Sequence, residues 1–247
     1  MACLHAILLR STKPMLVMPA NATGWFWHCL ARETGRIGHL YSPGAQRGPW
    51  PWFPFALDNK AFKYWDPVAN TFDHKRYDAE AMPEWLRLIA WAAPTGLARW
   101  AIVRDVPGNA EMTLEHYERY HRVVADAEIP PAIAVQDGMK PADVRALKNK
   151  PAVICVGGST EWKWQTVAMW AEEFPRVHLL RCNSPDKLPY LESLGVESCD
   201  GTGWNRGDRR QTSGLENWAR QKPEPKVFSL TPYVCRKNTN ELFAMEY

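Results

Sequence analysis

Short apolar runs in this chain stop, one after another, on a polar residue or on paired glycines. Phe55-Ala-Leu runs into Asp58 and Asn59, and Ala101-Ile-Val-Arg into Asp105. Ala132-Ile-Ala-Val runs into Gln136, Ala152-Val-Ile-Cys-Val into Gly157 and Gly158, and Val196-Glu-Ser-Cys into Asp200. Helix-like stretches separate several of them. Parallel strands joined by crossover helices produce this pattern, and a barrel of such units gathers its site at the carboxyl ends of its strands. Eight strands are predicted, over residues 15–19, 37–41, 55–58, 100–105, 132–136, 152–157, 177–181 and 196–200. Helices are predicted over 111–128, 161–174 and 185–194. In the first, Leu114, Tyr117, His121 and Val124 recur at helical spacing. In the last, Ser184-Pro185-Asp186 reads as a cap followed by Pro at the first helical position. The expected fold is α/β, a (β/α)8 TIM barrel. It forms a single domain over 1–247, with an irregular basic C-terminal segment, 203–247, packed on the barrel.

At 247 residues the chain has a length common for one such barrel. No run of 18 apolar residues occurs and the N-terminus lacks the zones of a signal peptide, so neither a membrane span nor secretion is expected. A cytoplasmic location is the expectation. The six cysteines form no CxxC pair or zinc-finger spacing, and Cys155 and Cys199 read as buried, inert thiols. Residues 203–247 carry eight Lys/Arg against five Asp/Glu, whereas the rest of the chain is balanced. Arg206, Arg209 and Arg210 are candidate phosphate contacts, with an ordinary solvated surface as the alternative. Trp25, Trp27, Trp50, Trp52, Trp65, Trp162, Trp164 and Trp204 lie in polar or Pro/Gly-rich surroundings, where aromatic rings can stack on bases.

Asp58 and Asp200 suit glycosidic bond chemistry, in which one carboxylate attacks or stabilises the anomeric carbon and the other moves protons. Any one such Asp is as readily a helix cap; three in one chain weaken that alternative. Gln136 offers both a donor and an acceptor to a heterocycle edge. Gly157 and Gly158 permit close backbone approach or simply turn the chain. GxGxxG, P-loop, HExxH and GxSxG motifs are absent.

With these residues in view the chain resembles the tRNA-guanine transglycosylases, TIM barrels that exchange guanine for a 7-deazaguanine. Asp58-Asn59-Lys60-Ala61-Phe62 is similar to the family's Asp-Ser-Gly-Gly-(Phe/Tyr)-Gln motif. Val135-Gln136-Asp137-Gly138 is similar to its Val-Gln-Gly segment, and Gly157-Gly158 followed by Glu161 to its Gly-Gly-Leu-Ala-Val-Gly-Glu segment. Ser184-Pro185-Asp186 leads on to Gly195-Val-Glu-Ser-Cys-Asp200, as the family's Thr-Pro-Asp leads to Gly-Ile-Asp-Met-Phe-Asp. The resemblance implies Asp200 as nucleophile and Asp58 as proton-transfer carboxylate. It implies a base held by Asp105, Gln136, Gly157 and Gly158 between Phe62 and Leu180, with Asn59 and Glu161 supporting. Only Cys235 follows Asp200, so the family's Cys-x-Cys-x-x-Cys…His zinc site cannot form, and Ser-Gly-Gly is here Asn59-Lys60-Ala61.

The segments Leu57-Asp58-Asn59, Gly157-Gly158-Ser159-Thr160-Glu161-Trp162-Lys163-Trp164 and Cys199-Asp200-Gly201-Thr202-Gly203-Trp204 look more like the short phage-type relatives that modify DNA. That resemblance implies DNA and a free 7-deazaguanine base, 7-cyano-7-deazaguanine foremost, as partners. It implies no metal and no cofactor. Trp204, Arg206, Arg209 and Arg210 would meet nucleic acid. The tRNA enzymes are often dimers, so a homodimer is an open expectation. Three alternatives stand beside this reading: a tRNA transglycosylase without zinc, a metal-dependent barrel hydrolase, and a non-catalytic nucleic-acid-binding module.

Overall fold

The computed structural model describes residues 14–20, 24–205 and 209–221. Each predicted strand is present, trimmed or shifted by up to three residues: β1 Leu16–Pro19, β2 His39–Tyr41, β3 Phe55–Leu57, β6 Ala98–Ile102, β7 Pro131–Val135, β8 Val153–Val156, β9 Val177–Leu179 and β10 Ser198–Gly201. A small antiparallel ribbon, β4 Trp65–Asp66 with β5 Thr71–Phe72, is inserted after β3. The eight remaining strands are parallel and lie in the order β1-β10-β9-β8-β7-β6-β3-β2. Two isolated bridges, Val17 to Ile37 and Ala20 to Leu40, join the sheet's ends. The result is a TIM barrel, nearly closed.

Alternation along the strands sorts side chains into two layers. Leu16, Met18, Leu40, Ala56, Trp100, Ile102, Ala132, Ala134, Val153 and Cys155 fill the barrel interior. Three of these are alanines, which leave room for the indole of Trp100. The alternate residues, Val17, Leu57, Ala101, Ile133, Val135, Ile154, Val156, Leu179 and Cys199 among them, pack outward against the helices. Both Cys155 and Cys199 are buried; burial pushes the Cys155 thiol well up, and a hydrogen bond with the Cys182 thiol, together with burial, does so for Cys199.

The helices are α1 Trp25–Thr34, α2 His74–Arg76, α3 Met82–Ala92, α4 Ala110–Ala125, α5 Pro141–Ala146, α6 Thr160–Glu173, α7 Leu188–Ser193 and α8 Arg209–Arg220. Asn109 caps α4 by accepting from the Met112 amide, and Ser159 caps α6 by accepting from that of Trp162. The predicted helix over 185–194 begins as a single 3-10 turn, Pro185–Lys187, before α7, and the Ser184 side chain makes no capping bond. Between β2 and β3 there is no helix. The chain returns over residues 42–54, where Trp50 and Phe53 pack edge-on against His28.

One correction concerns the C-terminal segment, which is not irregular over residues 209–220: these form α8. Leu215, Trp218 and Ala219 are its buried face. Arg36, buried between α1 and β2, fixes it. Its guanidinium lies 3.6 Å from the Trp218 ring centroid, donates to the Trp218 and Gln221 carbonyls, and pairs with Glu192 at 2.7 Å. Arg36→Ala is expected to cost about 2 kcal/mol, because it strands a carboxylate and two carbonyls together. Hydrogen exchange should show the loss concentrated in α8.

Candidate active site at the carboxyl end of the barrel

The strand-end residues converge on one mouth. Asp105 lies just past β6, and its two oxygens are shared between neighbouring strand ends. Oδ1 accepts from Asn59 Nδ2 at 2.8 Å and Oδ2 from Gln136 Nε2 at 2.8 Å. Asn59 is itself locked. It donates to the Val103 carbonyl, accepts from the Ala61 amide, and its own carbonyl accepts from the Tyr77 hydroxyl. Burial pushes the Asp105 carboxyl up to about 7, against the Asn59 bond and reinforced by the charge of Asp58.

A carboxyl raised this way favours the folded state most where it is protonated. Its contribution is complete below about pH 4 and is lost as pH rises to about 7. Urea unfolding from pH 5 to 8 should show a fall in stability that is shallower in Asp105→Asn.

Asp58 follows β3, half-buried. Its Oδ2 accepts from Ser42 at 3.1 Å and its Oδ1 from the Asn59 amide at 2.9 Å. Burial and then the charge of Asp200 raise its proton affinity, and the Ser42 bond opposes them. The charge of Asp200 therefore reaches Asp58 across the mouth.

Asp200 lies within β10 and is 5% exposed. Its Oδ1 accepts from the Arg181 amide at 2.8 Å and sits 3.2 Å from His178 Nε2. The other ring nitrogen of His178 is 2.8 Å from Ser198 Oγ, and the ring packs 4.6 Å from Trp100. Parallel pairing of β9 with β10 sets Ser198 opposite His178 and so builds this stack. One oxygen of Asp200 is thus held in place. No bond to Oδ2 is recorded among the described residues.

The glycines are required by shape. Gly158 has φ +67°, and a Cβ there would lie 2.3 Å from Asp137 Oδ2. Asp137 in turn accepts from the amide and hydroxyl of Ser159, which makes it a strut for the β8–α6 loop. A Cβ on Gly157 would press on the Val135 carbonyl and on Leu180. Phe62 stands on the 3-10 turn Ala61–Tyr64, 49% exposed, with its ring 5.4 Å from that of Trp65.

No family model matches the chain. No curated protein matches it. Among solved structures, the tryptophan synthase a2b2 complex of the hyperthermophile Pyrococcus furiosus has a matching chain at 11% identity and TM-score 0.48, over 83% of this chain and 95% of that one.

Asp58, Asn59, Asp105, Gln136, Gly157, Gly158, Phe62, Leu180 and Asp200 therefore share one end of the barrel. Glu161 does not join them: it is exposed in the first turn of α6 and accepts from Gln165 at 3.1 Å. Trp204 is not a surface ring, since it is 1% exposed in the layer between barrel and helices. Trp27 is buried in the same way, whereas Trp25 and Trp52 are exposed. Arg209 and Arg210 are exposed at the start of α8, and Arg206 lies outside the described residues.

Sequence reasoning gave no role in the site to Ser42, Arg181 and Lys163, and weighed His178 only as one of several possible metal ligands in the hydrolase alternative. Lys163, 2% exposed, donates to the Leu180 and Arg181 carbonyls, and burial brings its ammonium down to about 8. His178 had one available signal, its place two residues before Leu180 in a strand that ends at the site. Among the described residues no group of three or more His, Cys, Asp or Glu is placed to hold a metal ion, and no helix is long and apolar enough to cross a membrane.

Proposed function

We propose that the chain exchanges guanine in DNA for a 7-deazaguanine, through a covalent bond between Asp200 and the deoxyribose. The observation that carries this reading is the division of labour among three carboxyl groups. Asp105 is anchored by two side-chain amides and suits the recognition of a purine edge. Asp200 has one oxygen fixed by the Arg181 amide and His178, which orients the other for attack. Asp58 has a raised proton affinity, which suits proton transfer.

The steps balance with these groups. Asp200 Oδ2 attacks C1′ as the C1′–N9 bond of guanine breaks, and the electron pair leaves with the purine, which takes a proton from the Asp58 carboxyl. A 7-deazaguanine then enters the same slot and Asp58 accepts its N9 proton. N9 attacks C1′, and the C1′–O bond to Asp200 breaks. A guanine within a duplex must first leave the stack, at a cost of a few kcal/mol, which stacking on Phe62 offsets by about 1–3 kcal/mol.

The test is mass spectrometry of nucleosides from DNA incubated with the protein and 7-cyano-7-deazaguanine, with tRNA in parallel. A deazaguanine deoxynucleoside is the expected product. Modified tRNA alone would transfer the activity to tRNA. No product in either polymer, across a range of deazaguanines, would refute base exchange.

A further inference from the structure

The slot in which the proposed function places the base is already filled by a side chain. Arg181 has its guanidinium carbon 4.3 Å from the Phe62 ring centroid, over the face on which a base would stack. The same guanidinium donates to the carbonyl of Gly158, on the loop that would line the base edge. Arg181 thus spans the slot from stacking face to edge, as a planar donor group in place of a planar heterocycle. Its backbone is constrained too, with φ +57° and the amide donated to Asp200 Oδ1. The backbone has a fixed duty and the side chain has a separable one.

We propose that the Arg181 side chain is a displaceable occupant of the base slot, evicted when a polynucleotide supplies a phosphate to receive its charge. This rests on the base-exchange reading above. Burial disfavours the guanidinium's charge more than the negative charges of Asp200, Asp105 and Asp137 favour it, so the charge sits in the slot at a cost that a solvated phosphate contact would relieve. A neutral purine alone offers that charge no new partner. A strand with its phosphates does. Free base and strand are therefore coupled through one side chain: each binds more tightly when the other is present, by the same factor.

Calorimetric titration of guanine, with and without a short single-stranded oligodeoxynucleotide carrying an abasic analogue, tests this. In the wild type the oligonucleotide should tighten guanine binding about tenfold, equivalent to about 1.4 kcal/mol. In Arg181→Ala, guanine should bind at the tightened affinity with or without the oligonucleotide. Arg181→Asn, whose side chain tolerates a left-handed backbone, provides a second variant should alanine disturb the loop. Coupling absent from the wild type, or retained in both variants, would overturn the proposal while leaving guanine binding, and hence the base slot, intact. Guanine binding to none of the forms under any condition would overturn it together with the exchange reading.

Discussion

Asp200→Asn should reduce base exchange by about 10⁴-fold or more, the scale of loss when a covalent nucleophile is removed. The substitution keeps an oxygen to accept from the Arg181 amide, so melting temperature should change little and the lost rate would report chemistry. The direct readout is incorporation of labelled guanine into DNA. A second readout is the covalent adduct, seen as a DNA-shifted band on a denaturing gel with wild type and absent with the variant. Exchange that survives Asp200→Asn at near wild-type rate would require a different nucleophile, and Asp58 is the candidate, since both oxygens of Asp105 are held by side-chain amides.

The largest expected effect on stability lies at the opposite end of the barrel. Glu197, just before β10, accepts from Arg176 through both oxygens at 2.6 and 2.9 Å and from Arg99 at 2.7 Å. Arg99 belongs to β6, four places from β10 in the sheet, so the cluster reaches across the amino-terminal end of the barrel. Burial pushes the Glu197 carboxyl up, but the Arg176 hydrogen bonds and charge, with those of Arg99, hold it below the usual range. Glu197→Ala leaves two arginines facing each other without the shared carboxylate. A loss of about 3–5 kcal/mol is expected, read as a lower urea midpoint. A depressed carboxyl stabilises above its unfolded value and loses that contribution as pH falls, so the wild type and variant should converge in acid.

The barrel strands were legible because each is a short apolar run closed by residues that cannot continue it, as at Asp58, Gln136 and Gly157. Helix α4 was legible from its periodic apolar face. Helix α8 was not, since its packing rests on Leu215, Trp218 and Ala219 alone, set among charged and polar residues and fixed from afar by Arg36. The strand-end carboxylates of the site could be read from position. Their supports could not: Ser42 reaches Asp58 from a return loop, and His178 reaches Asp200 only through the register of β9 with β10. Trp204 illustrates the converse. Its glycine-rich neighbourhood suggested a surface loop, yet a Cβ on Gly201 would meet Asn183 and the indole, and one on Gly203 would meet Asn183 and Gln211.

The closing seam of the barrel gives the site an adjustable gap. Around the sheet, β10 is followed by β1, then by the sparse bridges to β2, then by β3. Asp200 is carried on one side of that seam and Asp58 on the other. Ladders join the other neighbouring strands, with a register shift between β3 and β6; here two isolated bridges do. Small breathing at the seam would lengthen or shorten the span between the two carboxylates. Because part of the proton affinity of Asp58 comes from the charge of Asp200, mechanical opening at this line would be felt as a change in acidity.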